Sequence, residues 1–173
     1  MEVFEAIKGR RSVRQYTDEP IPTDVLEKLL DAARWAPTAS NQQRWRFVVV
    51  TSPQKKELFR QFAPGIFDMP AAFVLLCTEK APDANELAEQ TYLADCSVAA
   101  QNIMLAAHAL GIGTCVAISY AKVAIAEILN IPEGIDPQMV ITLGYPAEDP
   151  TPPARLPIDQ IAFMDEYGKE WPS

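Results

Sequence analysis

Three arginines and a hydroxyl fall within five residues near the start of the chain, Arg10-Arg11-Ser12-Val13-Arg14. Guanidinium groups stay charged at any physiological pH and match phosphate oxygens in pairs, so Arg10, Ser12 and Arg14 can converge on a dianion from one side. The whole chain carries a formal net charge of -8. That balance points to the phosphate of a small molecule and away from a polynucleotide. Taken alone, the cluster fits equally well a solvated helix end whose cations complement the helix dipole.

Three further groupings follow in order. Residues 36–47, Ala-Pro-Thr-Ala-Ser-Asn-Gln-Gln-Arg-Trp-Arg-Phe, are dense in amides and hydroxyls that both donate and accept, as recognition of a heteroaromatic ring with imide edges requires. An ordinary polar connection anchored by Trp45 and Phe47 has the same composition. Gly111-Ile112-Gly113-Thr114-Cys115 suits a tight helix-to-strand turn, and the strand end that follows can present backbone N–H groups to a ligand. It is not a GxGxxG fingerprint, because it precedes a strand instead of opening a helix. Last, Leu143-Gly144-Tyr145-Pro146 leads to Pro152-Pro153-Ala154-Arg155, which puts one more cation on a stiff proline spacer or simply on the surface.

Other catalytic residue types are scarce. His108, the only histidine, lies in the apolar run 104–110 and reads as a helix histidine, which leaves a triad or a histidine-rich metal site little to work with. Cys77, Cys96 and Cys115 are odd in number, widely spaced and set in apolar segments, so they read as buried thiols with no disulfide framework and no CxxC motif. No metal ligands are expected. The start of the chain lacks the apolar region of a secretory signal and no long uncharged apolar run occurs, so the expectation is a soluble, cytoplasmic protein.

The elements that must position these groups can be read from periodicity. Val3, Phe4, Ala6 and Ile7 predict a helix over 2–8, ended by Gly9 in a left-handed C′ position. Thr23 reads as an N-cap for a helix that runs to Trp35, closed by Pro37. Residues 46–51 read as a strand, followed by Ser52 as N-cap and Pro53 at the first helical position. The runs 72–77, 113–118 and 139–143 lack polar alternation, as strands covered on both faces do. Helices are predicted over 86–110 and 121–129. The first of these is apolar over a broad arc, which fits a central core helix, a helix contact across a dimer, or both. Prolines at 146, 150, 152, 153 and 157 exclude helix or central strand there and predict an extended tail over 147–173 that needs a surface to lie on. With 173 residues, a single domain is expected.

Together the four groupings resemble the nitroreductase family, whose pattern is an early R-R-S-x-R, then P-S-x-x-N-x-Q-P-W-x-F, then G-[LI]-G-[ST]-C, then L-G-Y-P with a downstream basic residue. The match is collinear from Met1 to about Pro157. The resemblance implies an α+β fold with a central, mostly antiparallel sheet flanked by helices, and an intertwined homodimer whose C-terminal tail crosses the partner. It implies bound FMN and NAD(P)H as co-substrate. Arg10, Ser12 and Arg155 would bind the FMN phosphate, helped by Arg11 through its side chain or backbone. Arg14 would lie near flavin N1 and the C2 carbonyl, where the reduced ring carries its charge. Thr38, Ser40, Asn41 and Gln43 would approach from the other subunit, and Val116, Ala117 and Ile118 would supply backbone contacts to the ring and N5. The implied activity is ping-pong: hydride passes from NAD(P)H to N5, and an electron-poor acceptor such as a nitroaromatic or quinone then takes the donor's place. Flavin storage or sensing without turnover, and a different flavin reaction such as reductive dehalogenation, are the alternatives. Two departures stand out: Arg44 replaces the proline that follows Gln43, and Val116 stands where many relatives carry an aromatic.

Overall fold

A computed structural model describes residues 1–82 and 84–172. Its frame is a four-stranded sheet of β1 (Trp45–Val50), β2 (Ala72–Glu79), β3 (Gly113–Ala117) and β4 (Ile135–Gly144), in the order β1-β2-β4-β3 with every pair antiparallel. The helices are α1 (Val3–Gly9), α2 (Thr23–Arg34), α3 (Pro53–Gln61), α4 (Glu86–Ala109) and α5 (Lys122–Leu129).

Alternation along the central strand β2 sorts the helices onto two faces. Val74 and Leu76 face a core that includes Leu26, Leu29 and Ala33 of α2 and Cys96, Ala99, Ile103 and Ala107 of α4. Phe73, Leu75 and Cys77 face the other way, onto Phe59 of α3 and Ile125 of α5. Phe59 and Phe73 stack with ring centroids 4.7 Å apart. This two-sided burial accounts for strands that carry almost no polar residues.

Several boundaries differ from the sequence expectations for identifiable reasons. Thr23 is the first residue of α2 and not its cap; the cap position is Pro22, whose carbonyl accepts from Val25 and Leu26 N–H. Gly9 belongs to α1 and Arg10 caps it. The glycine leaves room for the His108 ring, whose Nε2 would have to shift for a Cβ, which would stand 2.6 Å from it. Ser52 precedes Pro53 as expected but makes no side-chain cap bond, donating to Gln54 instead. The last strand begins at Ile135, four residues before its apolar run, and takes in Pro137. Pro137 pairs with Cys77 where the register shifts, and β3 reaches only as far as Val140, so this part of β4 has no strand on its other side.

Candidate functional site

The arginine segment is held against the β3 edge of the sheet. Ser12 bridges Thr114 in parallel, Val13 N–H donates to the Thr114 carbonyl at 2.9 Å, and Tyr16 bridges Pro146. The buried Tyr16 hydroxyl donates to the Val13 carbonyl at 2.5 Å and shares a hydrogen bond of 2.6 Å with Thr142 Oγ1. Burial pushes this phenol well above the ordinary tyrosine range.

Two motif glycines make that docking possible. A Cβ on Gly113 would lie 2.8 Å from Val13 Cβ, and one on Gly144 would lie 2.6 Å from Tyr16 Cδ1. Gly111 serves the turn itself, at φ +76 with nothing nearby. The G-I-G and L-G-Y-P motifs therefore work chiefly as a seat for residues 12–16.

Seating the segment divides the cluster. Arg11 Nη1 donates to the carbonyls of Lys8 (2.6 Å) and Arg10 (3.0 Å), so its side chain caps α1. Arg10 lines a cavity of about 270 Å³ with Gly113, Thr114 and His108, and Glu148 and Asp149 stand on the same cavity. Arg14 lines a small cleft with Phe67, Asp68, Cys115 and Ala117. Because the Thr114 carbonyl points outward to Val13, strand alternation puts the N–H and C=O of Val116 on the same free edge. Val116 is 41 % and Ile118 72 % exposed. The fold thus brings Arg10, Ser12, Arg14, Val116 and Ala117 along one edge.

The loop 38–43 stands elsewhere. Three of its residues have positive φ without being glycine: Ser40 (50°), Asn41 (53°) and Gln43 (51°). Such a concentration of left-handed backbone marks a loop held against its preference. Thr38 Oγ1 accepts from Gln43 N–H, Asp95 of α4 accepts from Ala39 N–H, and Arg44 donates to Gln42. These contacts fix the loop in the absence of the family proline, while Ser40, Asn41 and Gln43 stay exposed. The loop enters β1 at Trp45, in register with Thr78, whereas Ser12 meets the sheet beside Thr114, in register with Leu143 and Ala72. The two groups sit at diagonally opposite corners, separated by about 14 Å across β1 to β3 and about 20 Å along the strands. One chain does not bring them to one small ligand. Arg155 is also apart: it is exposed, and among the described residues its guanidinium bonds the carbonyls of Pro153 and Ala154.

Three residues enter the site that sequence reasoning left out. Glu148 Oε1 accepts from the N–H groups of Arg14 (2.6 Å) and Gln15 (3.1 Å). Asp68 accepts from Tyr16 N–H at 2.9 Å, which ties the 62–71 segment to the arginine segment. His108 lines the arginine cavity. Only the place of Glu148, just after L-G-Y-P, offered a signal in the sequence.

Comparison with known proteins gives a concordant result. The Nitroreductase family model matches residues 7–67 and 61–145. A protein of Methanothermobacter thermautotrophicus, carried under the provisional name NADH dehydrogenase/NAD(P)H nitroreductase, is 39% identical over 160 residues, 87% of this chain and 80% of that protein. The Bacillus subtilis FMN reductase [NAD(P)H] is 26% identical over 185 residues, covering 96% and 74%. Among solved structures, nitroreductase A of Vibrio parahaemolyticus superposes with a TM-score of 0.89 at 26% identity, covering 98% of this chain and 78% of that one. Motif order, fold and these matches agree, and the chain belongs to the nitroreductase family.

Proposed function

We propose that this protein is an FMN-dependent NAD(P)H oxidoreductase, acting as a homodimer on electron-poor acceptors such as nitroaromatics or quinones. The observation that carries the reading is the free edge of β3. It offers the backbone donor and acceptor of Val116 to a flat heterocycle, with cations ranged beside it from Arg14 to Arg10.

When bound, FMN would supply the hydride chemistry, taking hydride from NAD(P)H at N5 and giving it to the acceptor in a ping-pong cycle. The chain's residues bind and orient. Arg10 and the Ser12 hydroxyl would hold the phosphate, and Arg155, which stands apart from them on its own chain, would join them only if the tail moved from its present place. Arg14 lines a cleft with Cys115 and Ala117; with FMN bound it would supply positive charge beside the ring and favour the reduced, anionic form. Val116 and Ile118 would meet the edge of the ring by backbone contacts, whereas Ala117, expected to do the same, pairs its backbone with Val140 and only lines the Arg14 cleft. The segment 62–71 forms a short wall: Gly65 lines the Arg14 cleft across from Ala117, and exposed Phe67 flanks it. Among the described residues of this chain nothing larger closes over that edge, in keeping with an open, permissive site.

The diagonal separation of the loop 38–43 from the arginine segment supports a dimer, since Thr38, Ser40, Asn41 and Gln43 can meet the flavin only from a second copy. Two further features agree. Residues 151–161 are exposed throughout, Leu156, Ile158 and Ile161 among them, so the tail lacks a surface on its own chain. The long helix α4 leaves Leu87, Leu93 and Val98 exposed, and α1 leaves Val3, Phe4 and Ile7 exposed.

The test is an absorption spectrum of the purified protein with anaerobic addition of NADH or NADPH. Flavin bands that bleach with the nicotinamide and return with a nitroaromatic or quinone are expected. Bound flavin that neither donor reduces would favour a store or sensor, and a protein that cannot take up FMN would overturn the reading.

A further inference from the structure

By sequence His108 is a helix histidine without a task, but its place in the fold is specific. It stands in the last turn of α4 and lines the cavity of about 270 Å³ beside Arg10 and Arg11. Its ring lies against α1, with Nε2 2.6 Å from where a Cβ on Gly9 would stand. The charged groups around it come from each packed element. Arg10 and Arg11 follow α1, Lys8 is the basic residue of the last turn of that helix, and Glu148 and Asp149 face the cavity from the segment after β4. On α4 itself no ionisable residue lies within a turn.

Burial first, and then Arg11 and Arg10, hold the imidazole below its ordinary pKa. A dianion among these groups reverses the balance, because it cancels the repulsion of the arginines and favours a third positive charge. That charge also offsets Glu148 and Asp149, which otherwise oppose an anion in the same cavity.

We propose that His108 completes the phosphate cradle as an imidazolium, beside Arg10 and opposite Glu148 and Asp149. The ligand chemistry is a phosphate group, and the assignment of that group to FMN rests on the function proposed above. The consequence is linkage: binding the phosphate takes up a proton at His108. A rise of one unit in its pKa corresponds to about tenfold tighter binding on the acid side than on the alkaline side.

His108 is the only histidine, so one set of imidazole NMR signals reports it directly in the wild-type protein. The titration is run between pH 5.5 and 8 with FMN, with riboflavin, which lacks the phosphate, and with inorganic phosphate alone. The expected result is a midpoint higher by about one unit with FMN or inorganic phosphate than with riboflavin. Alongside, FMN affinity in wild type should gain up to about tenfold over H108N as pH falls from 8 to 6. The phosphate's own titration is common to both proteins and cancels. Equal midpoints with FMN and riboflavin, or parallel pH profiles for wild type and H108N, would overturn the proposal. If neither flavin binds while inorganic phosphate still raises the midpoint, the cradle stands and the flavin reading falls.

Discussion

The seat that the glycines provide for the arginine segment can be tested by adding one carbon at a time. In Gly113→Ala the new Cβ would meet Val13 Cβ and Cγ1 at 2.8 Å and Cγ2 at 2.9 Å. Carbon atoms pack at about 3.5–4.0 Å, so Val13 must retreat by roughly 1 Å, and Ser12 and Arg14 move with it. Overpacking of this kind costs about 1–3 kcal/mol, and for a chain of this size each kcal/mol lowers Tm by about 2–4 °C. On the proposed function the same displacement loosens the Ser12 contact to the FMN phosphate, and loss of one charge-assisted hydrogen bond, about 1.5–3 kcal/mol, weakens FMN binding roughly 10- to 150-fold. Two other glycines are the controls. Gly111→Ala carries a left-handed backbone cost of about 1–2 kcal/mol but meets nothing within 4 Å, so stability falls while FMN affinity holds. Gly65→Ala makes only ordinary contacts, the nearest at 3.8 Å, and should change neither. Thermal unfolding and fluorescence titration with FMN measure both quantities. If Gly113→Ala keeps wild-type affinity, or Gly111→Ala loses as much as it does, the seat is not what positions the arginines.

Other expectations follow from the same geometry. Arg14→Ala and Asn41→Ala subunits, each inactive alone, should regain NAD(P)H-driven turnover when mixed by refolding, because the mixed dimer keeps one unaltered site; absence of complementation would place the loop 38–43 outside the partner's site. Arg10→Ala should lose FMN affinity while leaving riboflavin affinity nearly unchanged, whereas Arg11→Ala, which uncaps α1, should lower Tm with little effect on either ligand. Burial, followed by the nearby Cys96 and Asp136, pushes the Cys77 thiol up to about 12 from 9.0, and Cys96, Tyr16 and Tyr120 are raised in the same direction. The folded chain therefore holds more protons than the unfolded one above about pH 9, and urea midpoints should fall as pH rises beyond that point; a rise would contradict the burial.

What could be read from residues alone was mostly local. Pro53 and the apolar stripe over Val25, Leu26, Leu29 and Leu30 act within a few positions, and the structure follows them, whereas the tail expected to be extended over 147–173 turns at Ile158–Gln160 and folds back to pair Phe163 with Glu170. The strand order was not readable, because strands buried on both faces carry no alternation to tell one side from the other. Pro137 hid the start of β4, since the relief it finds lies in the length of β3 and not in its own neighbours. For the site, the residue types were visible and their grouping was not. Arg11 reads like Arg10 and Arg14 until the α1 carbonyls claim it, and His108 reads as inert until α1 closes over it. The glycines at 9, 113 and 144 could be noticed, but the side chains they accommodate come from the opposite end of the sequence.

That long reach has a consequence for how the protein is made. Residues 12–17 leave the ribosome early, yet their partners are Thr114, Tyr145 and Ala147, near the end of the chain. At about 5–20 residues per second the arginine strip waits on the order of ten seconds before its seat has been synthesised. During that interval it is an unpaired, positively charged strand with no sheet to join. On the proposed function, capture of the cofactor would be a late event in biogenesis, and a chain cut short before Tyr145 lacks part of the dock for the early arginines.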